Sequence, residues 1–223
     1  MQDLSPFRAI IFDLDGVLLD TEPLYTEATQ AVVGEFGKVF DWSVKGDMIG
    51  RSALDGANYL ARALDLPIAP EEYLRRRKPI LEALFVDAPE MAGARQLVHH
   101  LHRRRLPVAL ATSSDHAQFR LKITHHEWFA DFDAIVCGDD PRVAALKPAP
   151  DIFLVAASEL DVPPAECLVF EDSLAGVTAA RRAGMQVIAV PDPNMDKGRY
   201  VEAHLVVDSL TSLDVDALLA YAR

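Results

Sequence analysis

Short apolar runs of strand length recur along the chain, and helical patterns separate most of them. The runs are Ala9 to Phe12, Leu106 to Ala111, Phe132 to Val136, Cys167 to Phe170, Met185 to Val190 and Leu205 to Val207. Continuous apolar runs are typical of strands that are buried on both faces of a parallel sheet. The alternation of such runs with helices therefore predicts an α/β fold with a parallel sheet.

Three helical patterns lie between or after the later runs. They cover Ala149 to Leu160, Ser173 to Ala183 and Leu213 to Ala220. Gly184 follows the second pattern directly, and a glycine at that position commonly ends a helix. We therefore expect these helices to pack against the sheet.

The region between the first and second runs contains helical patterns and no convincing strand. Thr21 is the expected N-cap of a helix that ends near Gly37, and Ser52 to Leu64 and Pro70 to Phe85 predict further helices. An all-helical block inside an α/β chain is most simply an inserted domain with two connections. We expect residues 1–20 and 88–223 to form the core domain, and residues 21–87 to form the inserted domain.

Composition and charge narrow the classes of partner. The chain has 223 residues, 50% of them hydrophobic, and a formal net charge of -12. This charge would repel nucleic acid and anionic membrane surfaces, so we expect neither as a partner. The amino terminus shows no signal-peptide pattern, and no apolar run is long enough to span a membrane. Cys137 and Cys167 lie in apolar runs and are expected to be buried thiols, which favours a cytoplasmic location. We expect a monomer or a weak dimer.

Two aspartates, Asp13 and Asp15, follow the first apolar run with one residue between them. In an extended chain they share a face, where two ionised carboxylates repel each other and are costly to bury. A cation between them would remove that cost. The carboxyl end of a strand is also where open α/β sheets bind ligands.

Three later segments, each at the carboxyl end of an expected strand, supply complementary groups. Thr112 and Ser113 offer a hydroxyl and free amides for an oxyanion, although a hydroxyl at a turn also serves as a helix cap. Lys147 offers a positive charge for a phosphate. Asp172, beside Glu171, could join Asp13 and Asp15 in supplying oxygen ligands for Mg²⁺. Together these groups indicate phosphoryl transfer.

These four segments, in this order, resemble the motifs of the haloacid dehalogenase superfamily of hydrolases, and the resemblance spans nearly the whole chain. The matching segments are Phe12 to Val17, Thr112, Lys147-Pro148 and Glu171-Asp172. Further similarity in Leu19 to Glu22, Gly138 to Pro141 and Val169 to Ser173 is to the branch of β-phosphoglucomutases and pseudouridine 5′-phosphatases. The resemblance implies a Rossmann-like core with an all-helical cap domain.

The resemblance also implies a Mg²⁺-dependent phosphomonoester hydrolase and assigns roles to its residues. Asp13 would be the nucleophile that forms an aspartyl-phosphate, and Asp15 would be the general acid and then the general base. Thr112, the Ser113 amide and Lys147 would hold the phosphate. Asp13, Asp172 and the Asp15 carbonyl would bind the metal, with Glu171 just outside the ligands. Gly50, Arg51 and Ser52 resemble a segment that contacts the leaving group, although Ser52 as a helix cap explains them equally well.

Two positions depart from the family pattern. Leu146 precedes Lys147 where relatives usually carry glycine, and Tyr25 stands where β-phosphoglucomutases carry a histidine. The second departure disfavours the alternative of a sugar phosphomutase. A dehalogenase would need neither Asp15 nor Asp172, and a noncatalytic binding protein would not need the complete set of reacting groups. The expected substrate is a small phosphorylated metabolite, either a sugar phosphate or a nucleoside 5′-monophosphate.

Overall fold

The computed structural model describes residues 4–48 and 53–222, and six strands within them form one parallel sheet. In chain order the strands are β1 (Ala9–Phe12), β2 (Val108–Thr112), β3 (Ala134–Cys137), β4 (Cys167–Glu171), β5 (Gln186–Ala189) and β6 (Leu205–Val206). Their spatial order is β3-β2-β1-β4-β5-β6, which places β1 between β2 and β4. The α/β fold is therefore confirmed, and each expected strand is present with slightly different ends.

Nine α-helices lie in the described residues. They are α1 (Glu22–Gly34), α2 (Trp42–Met48), α3 (Ala53–Ala63), α4 (Pro70–Phe85), α5 (Ala94–Arg103), α6 (His116–Lys122), α7 (Asp151–Glu159), α8 (Leu174–Arg182) and α9 (Val215–Leu219). The sequence patterns did not predict α2, α5 or α6. Two of these, α2 and α6, have only seven residues each, which is too short for a helical period to stand out.

Alternate residues of the central strand face opposite layers of helices. Ile10 and Phe12 belong to one apolar cluster, which includes side chains of α5, α6 and α9. Ala9 and Ile11 belong to another cluster, with side chains of α7 and α8. All four side chains are fully buried, as the side-chain period of two requires for a strand that is covered on both faces.

The helices α1 to α4 lie between β1 and β2 in the chain and pack against one another. Val33, Leu60 and Tyr73 are buried in an apolar cluster that contains only residues of this helical segment. The two connections to the sheet run side by side, because Leu19 and Glu90 form an antiparallel bridge. The Asp20 amide also donates a hydrogen bond to the Pro89 carbonyl at 2.8 Å. The two chain connections between this segment and the sheet are therefore adjacent.

Two of the expected helix ends can be compared directly with the structure. Gly184 follows α8 with a φ of +78°, a left-handed conformation that glycine adopts without strain. Thr21 occupies the N-cap position of α1, but its hydroxyl caps no helix amide. Capping was therefore the wrong role for this side chain, which donates a hydrogen bond to Asp15 instead.

Both cysteines are buried and neither is in a disulfide, as their apolar surroundings in the sequence predicted. Burial raises the pKa of each thiol to about 12. Across the described ranges, 4–48 and 53–222, no helix is both long and apolar enough to cross a membrane.

Candidate active site

The chemically important side chains gather at one edge of the sheet. Asp13 directly follows β1, Thr112 ends β2 and Glu171 ends β4. Because neighbouring parallel strands end at the same edge, the order β2-β1-β4 brings these three residues together. The Asp13 amide donates a hydrogen bond to the Phe170 carbonyl at 3.0 Å, which ties the end of β1 to β4.

Lys147 lies at the centre of this group, although it reaches the site from a loop. Its ammonium donates hydrogen bonds to Asp13 Oδ1 at 2.5 Å and to Glu171 Oε1 at 2.6 Å. It also donates to the Ala111 carbonyl at 3.1 Å. All three donors of the ammonium are therefore used, and its charge faces two carboxylates that are themselves buried.

Asp13, Glu171 and Asp172 form a cluster of carboxylates. One oxygen of each lies within 4.8 Å of the other two. Burial raises the pKa of Asp13 to about 7, although the nearby Lys147 ammonium acts in the opposite direction. Burial and the charges of Glu171 and Asp13 raise the pKa of Asp172 well above its ordinary value.

This cluster carries more negative charge than Lys147 can neutralise. Lys147 pairs with the buried carboxylates of Asp13 and Glu171, and the half-buried carboxylate of Asp172 lies beside them. Burial first, and then repulsion among these carboxylates, raises the pKa values of Asp13 and Asp172. A divalent cation would restore the balance, and carboxylate oxygens are the ligands that Mg²⁺ prefers. The donor set therefore fits Mg²⁺. The third side chain in the cluster is Glu171, while the side chain of Asp15 faces Lys122. The metal role expected of Asp15 was that of its carbonyl.

Two glycines, Gly16 and Gly176, pack closely against the carboxylates of Asp172 and Glu171. Gly16 has a φ of +78°, and a Cβ at this position would lie 2.4 Å from an oxygen of Asp172. A Cβ on Gly176 in α8 would lie 1.8 Å from an oxygen of Glu171. Glu171 also accepts hydrogen bonds from the amide and hydroxyl of Ser173, at 2.9 and 3.0 Å. Both glycines therefore make room for the acidic pair at the end of β4.

Asp15 has a different environment from Asp13. Lys122 Nζ lies 2.6 and 2.8 Å from its two carboxylate oxygens. The hydroxyls of Thr21 and Ser114 donate further hydrogen bonds to it, at 2.6 and 3.2 Å. Burial alone would raise the pKa of Asp15, but the Lys122 charge and these hydrogen bonds hold it below its ordinary value. The two aspartates therefore differ in pKa, with Asp13 the higher of the pair.

Lys122, Ser114 and the hydroxyl role of Thr21 were missed in the sequence. Lys122 is fully buried in α6, and the Asp15 carboxylate raises its pKa although burial disfavours its charge. One signal was available, because Lys122 lies three residues after the apolar Phe119. This spacing places the lysine on the apolar face of a helix, where an unpaired charge would be costly.

The expected phosphate-binding residues lie around the end of β2. Thr112 is fully buried, and its hydroxyl accepts a hydrogen bond from the Ser114 amide at 3.1 Å. Ser113 is exposed between them. Leu146, the departure beside Lys147, is 48% exposed and leaves the contacts of the lysine in place. Gly50, Arg51 and Ser52 lie outside the described residues.

The parallel sheet, the buried lysine–carboxylate site and the relatives of the chain together define a phosphatase-type hydrolase. A family model for haloacid dehalogenase-like hydrolases matches residues 7–184. The chain belongs to this family.

Similar proteins of known name support the same class. A probable pseudouridine-5′-phosphatase of Drosophila melanogaster is 45% identical over 204 residues, covering 90% of this chain and 88% of that protein. A (DL)-glycerol-3-phosphatase of Arabidopsis thaliana is 40% identical, covering 90% of this chain and 86% of its own. Among solved structures, a putative β-phosphoglucomutase from Thermotoga maritima has a TM-score of 0.78 and 31% identity, covering 96% of this chain and all of that one.

Proposed function

We propose that this phosphatase is a Mg²⁺-dependent phosphomonoester hydrolase that works through an aspartyl-phosphate on Asp13. The observation that carries the proposal is the hydrogen bond from Lys147 to Asp13, beside the carboxylates of Glu171 and Asp172. A nucleophilic carboxylate must be ionised, and Asp13 needs more positive charge than Lys147 supplies to stay so near neutral pH. The fit of the cluster to Mg²⁺ meets that need.

Asp13 and Asp172 would hold the metal, with Glu171 beside them and the Asp15 carbonyl as a further ligand. When bound, Mg²⁺ would offset negative charge on the phosphoryl oxygens. Lys147, Thr112 and the Ser113 amide would bind the same oxygens from the other side. The buried ammonium of Lys147 is suited to this role, because its position is fixed by three hydrogen bonds.

In the first step an oxygen of Asp13 attacks phosphorus, and the bond from phosphorus to the ester oxygen breaks. The alcohol leaves with a proton from Asp15; this carboxylate, whose pKa Lys122 holds low in the free site, takes up that proton as the phosphate ester binds. In the second step Asp15 takes a proton from water, and the resulting hydroxide attacks the aspartyl-phosphate. Asp15 passes the proton from water on to the departing phosphate, so both carboxylates are ionised again. The Asp15 carboxylate must therefore keep one position while it gives a proton to the alcohol and takes one from water.

Residues 21–87 would act as a cap over this site, and residues 1–20 and 88–223 as the core. Two features support this division. The helical segment has its own apolar cluster, and it meets the sheet through adjacent connections that contain Leu19 and Glu90. Closure of such a segment would exclude water and add contacts to the leaving group. We place Gly50, Arg51 and Ser52 among the residues that would make those contacts.

The substrate would be a small phosphorylated metabolite. Relatives named for pseudouridine 5′-phosphate and for glycerol 3-phosphate each cover 90% of this chain. These two compounds share a primary phosphate ester and differ in the size of the alcohol. They are therefore the first two compounds to test, together with sugar phosphates.

A sugar phosphomutase is the second candidate, because a structural neighbour carries that name as a putative function. Tyr25 argues against it. This residue occupies the position of the mutase histidine, and its ring packs edge-on against Phe85 at 5.5 Å between centroids. A mutase would convert one sugar phosphate into its isomer with little free phosphate.

The test is phosphate release from these compounds with and without Mg²⁺. We expect the wild-type protein to release phosphate only with the metal, and Asp13→Asn to lower kcat by at least about 1,000-fold because the amide is not a nucleophile. Asp216→Asn, at a carboxylate that is 86% exposed, is the matched control and should leave kcat unchanged. Unchanged turnover in Asp13→Asn would refute the mechanism, and an isomer in place of free phosphate would indicate the mutase.

A further inference from the structure

Lys122 is a buried cation that no part of the proposed reaction uses. It lies at the end of α6 and is fully buried. Its ammonium donates to both oxygens of Asp15, at 2.6 and 2.8 Å, and to Ser114 Oγ at 2.8 Å. These three contacts use every donor of the ammonium, so its position is closely defined.

Hydrogen bonds from three side chains fix the carboxylate of Asp15. Thr21 donates a hydrogen bond to Oδ1 at 2.6 Å, and Ser114 donates to Oδ2 at 3.2 Å. Lys122 is the partner that contacts both oxygens, and a contact of this kind fixes the plane of the carboxylate as well as its position. Within the described residues, Lys122 is also the one side-chain cation that forms an ion pair with Asp15.

The same ammonium faces two aromatic rings of the helical segment. Lys122 Nζ lies 4.4 Å from the ring centroid of Phe85 and 5.6 Å from that of Tyr25. Phe85 is the last residue of α4, and Tyr25 lies in the first turn of α1. Lys122 thus contacts Asp15 on one side and both ends of the helical segment on the other.

We infer that Lys122 is a positioning residue, which fixes the Asp15 carboxylate for proton transfer and ties its orientation to the docking of α1 and α4. This inference rests on the proposed function, because it assigns to Asp15 the exchange of protons with the alcohol and with water. Stability alone does not explain a lysine here. Buried ion pairs are often no more stabilising than apolar side chains of the same volume, because both charges lose their hydration.

A single-turnover experiment with p-nitrophenyl phosphate separates the two steps of the reaction. The p-nitrophenolate group leaves without a proton, so its release reports attack by Asp13 alone. Release of inorganic phosphate requires Asp15 to take a proton from water. In Lys122→Met we expect p-nitrophenolate release to stay within about 3-fold of wild type, and phosphate release to slow by about 100-fold.

The matched control is Lys78→Met in α4, because the side chain of Lys78 is 68% exposed and forms an ion pair with Glu82 on the same helix. Both of its rates should equal those of wild type. Equal slowing of the two steps in Lys122→Met would show a general structural role and overturn the inference. Phosphate release at the wild-type rate would overturn it as well.

A second comparison covers the case in which Lys122→Met does not fold. The double variant Asp15→Asn with Lys122→Met removes both buried charges together and leaves neither without a partner. If Lys122 acts through Asp15, phosphate release from the double variant equals that from Asp15→Asn within about 2-fold. A further loss in the double variant would show that Lys122 acts independently of Asp15.

Crystal structures give a readout that does not depend on activity. In Lys122→Met, or in Lys122→Gln if the first variant is insoluble, we expect the Asp15 carboxylate to leave its contacts with Thr21 and Ser114. An Asp15 that keeps the wild-type orientation would contradict the inference. Failure of the proposed function looks different, because wild-type protein would then release no phosphate with Mg²⁺, while the orientation of Asp15 could still be compared.

Discussion

The two aspartates that follow β1 are close in sequence and meet different partners. Asp13 faces Lys147 and two further carboxylates, whereas Asp15 faces Lys122 and two hydroxyls. The pKa of Asp13 is therefore raised by burial, and that of Asp15 is lowered by the charge and hydrogen bonds that outweigh burial. Different environments of this kind allow two identical side chains to perform different chemistry.

Gly176 leaves the space that the Glu171 carboxylate occupies. Glycine to alanine usually stabilises a helix, but a Cβ here would lie 1.8 Å from Glu171 Oε1 and displace its carboxylate. We expect Gly176→Ala to lower the free energy of unfolding by about 1–3 kcal/mol and to reduce kcat, because Glu171 would lose its contacts with Lys147 and Ser173. Urea denaturation and phosphate release measure the two effects.

Gly46→Ala is the control for that substitution. Gly46 is also helical, and a Cβ at this position would lie 4.0 Å from its nearest neighbour, an atom in the ring of Trp42. We expect equal or higher stability in this variant. Similar stability of the two alanine variants would contradict the role assigned to the close approach of α8.

At the scale of elements, the return connection from α4 to α5 is fixed to the core by one carboxylate. Glu90 Oε1 accepts hydrogen bonds from Trp128 Nε1 at 2.9 Å and from Arg95. His126 Nδ1 lies 3.1 Å from the same oxygen, and its Nε2 donates to the Ala88 carbonyl at 2.7 Å. Burial would raise the pKa of Glu90, but these contacts hold it below its ordinary value. The base of the helical segment is thus anchored to the chain that follows α6.

Removing this carboxylate should loosen the anchor. We expect Glu90→Ala to lower the free energy of unfolding by about 1–3 kcal/mol, because Trp128 and His126 would be left with an unpaired polar atom. Thermal and urea denaturation measure the change. Glu202→Ala, at an exposed position, should change stability by no more than about 0.5 kcal/mol. Equal effects of the two substitutions would contradict the anchoring role of Glu90.

For the whole molecule, the dominant electrostatic feature is an excess of negative charge that extends into the core. The net charge is -12, and the carboxylates of Asp13, Glu171 and Asp172 lie close together with one lysine, Lys147, beside them. The pKa of Asp13 rises from its ordinary 3.8 to about 7 in the folded protein. Asp13 therefore binds its proton more tightly in the folded than in the unfolded protein. The resulting stabilisation of the folded state is fully present below pH 3.8 and is lost as the pH rises through about 7.

Metal binding should therefore stabilise the protein more at high pH than at low pH. Mg²⁺ binds ionised carboxylates, so we expect it to raise Tm by several degrees near pH 8 and by much less near pH 5.5. Thermal denaturation with and without the metal measures the difference. An equal rise in Tm at both pH values would contradict the raised pKa of Asp13.

Asp172→Asn tests whether the effect of Mg²⁺ on Tm comes from binding at this carboxylate cluster. The substitution removes one of the mutually repelling carboxylates, so the metal-free variant should have a higher Tm than wild type near pH 8. The same variant should lose most of the rise in Tm that Mg²⁺ causes. A variant that keeps the full response to Mg²⁺ would show that the metal binds elsewhere.

The sequence by itself determined the sheet, the family motifs and the chemical inventory of the site. Strands buried on both faces appear as continuous apolar runs, and polar residues directly after such runs must lie at the sheet edge. Asp13, Thr112 and Asp172 could therefore be named in advance, whereas Lys147, in the loop between β3 and α7, was named through the family motif. The helix from Pro70 to Phe85 was also predicted with its observed ends, because sixteen residues show their pattern clearly.

Only the tertiary structure decided which partner each side chain meets. The contact between Asp15 and Lys122 spans 107 positions, and no local pattern encodes a pairing at that separation. Thr21 lies before α1, at a place typical of a helix cap, yet its hydroxyl donates to the Asp15 carboxylate, and only the folded chain shows which of the two roles it takes. Local patterns record burial and backbone conformation, whereas the distances that set pKa values and orient carboxylates exist only after distant segments pack together.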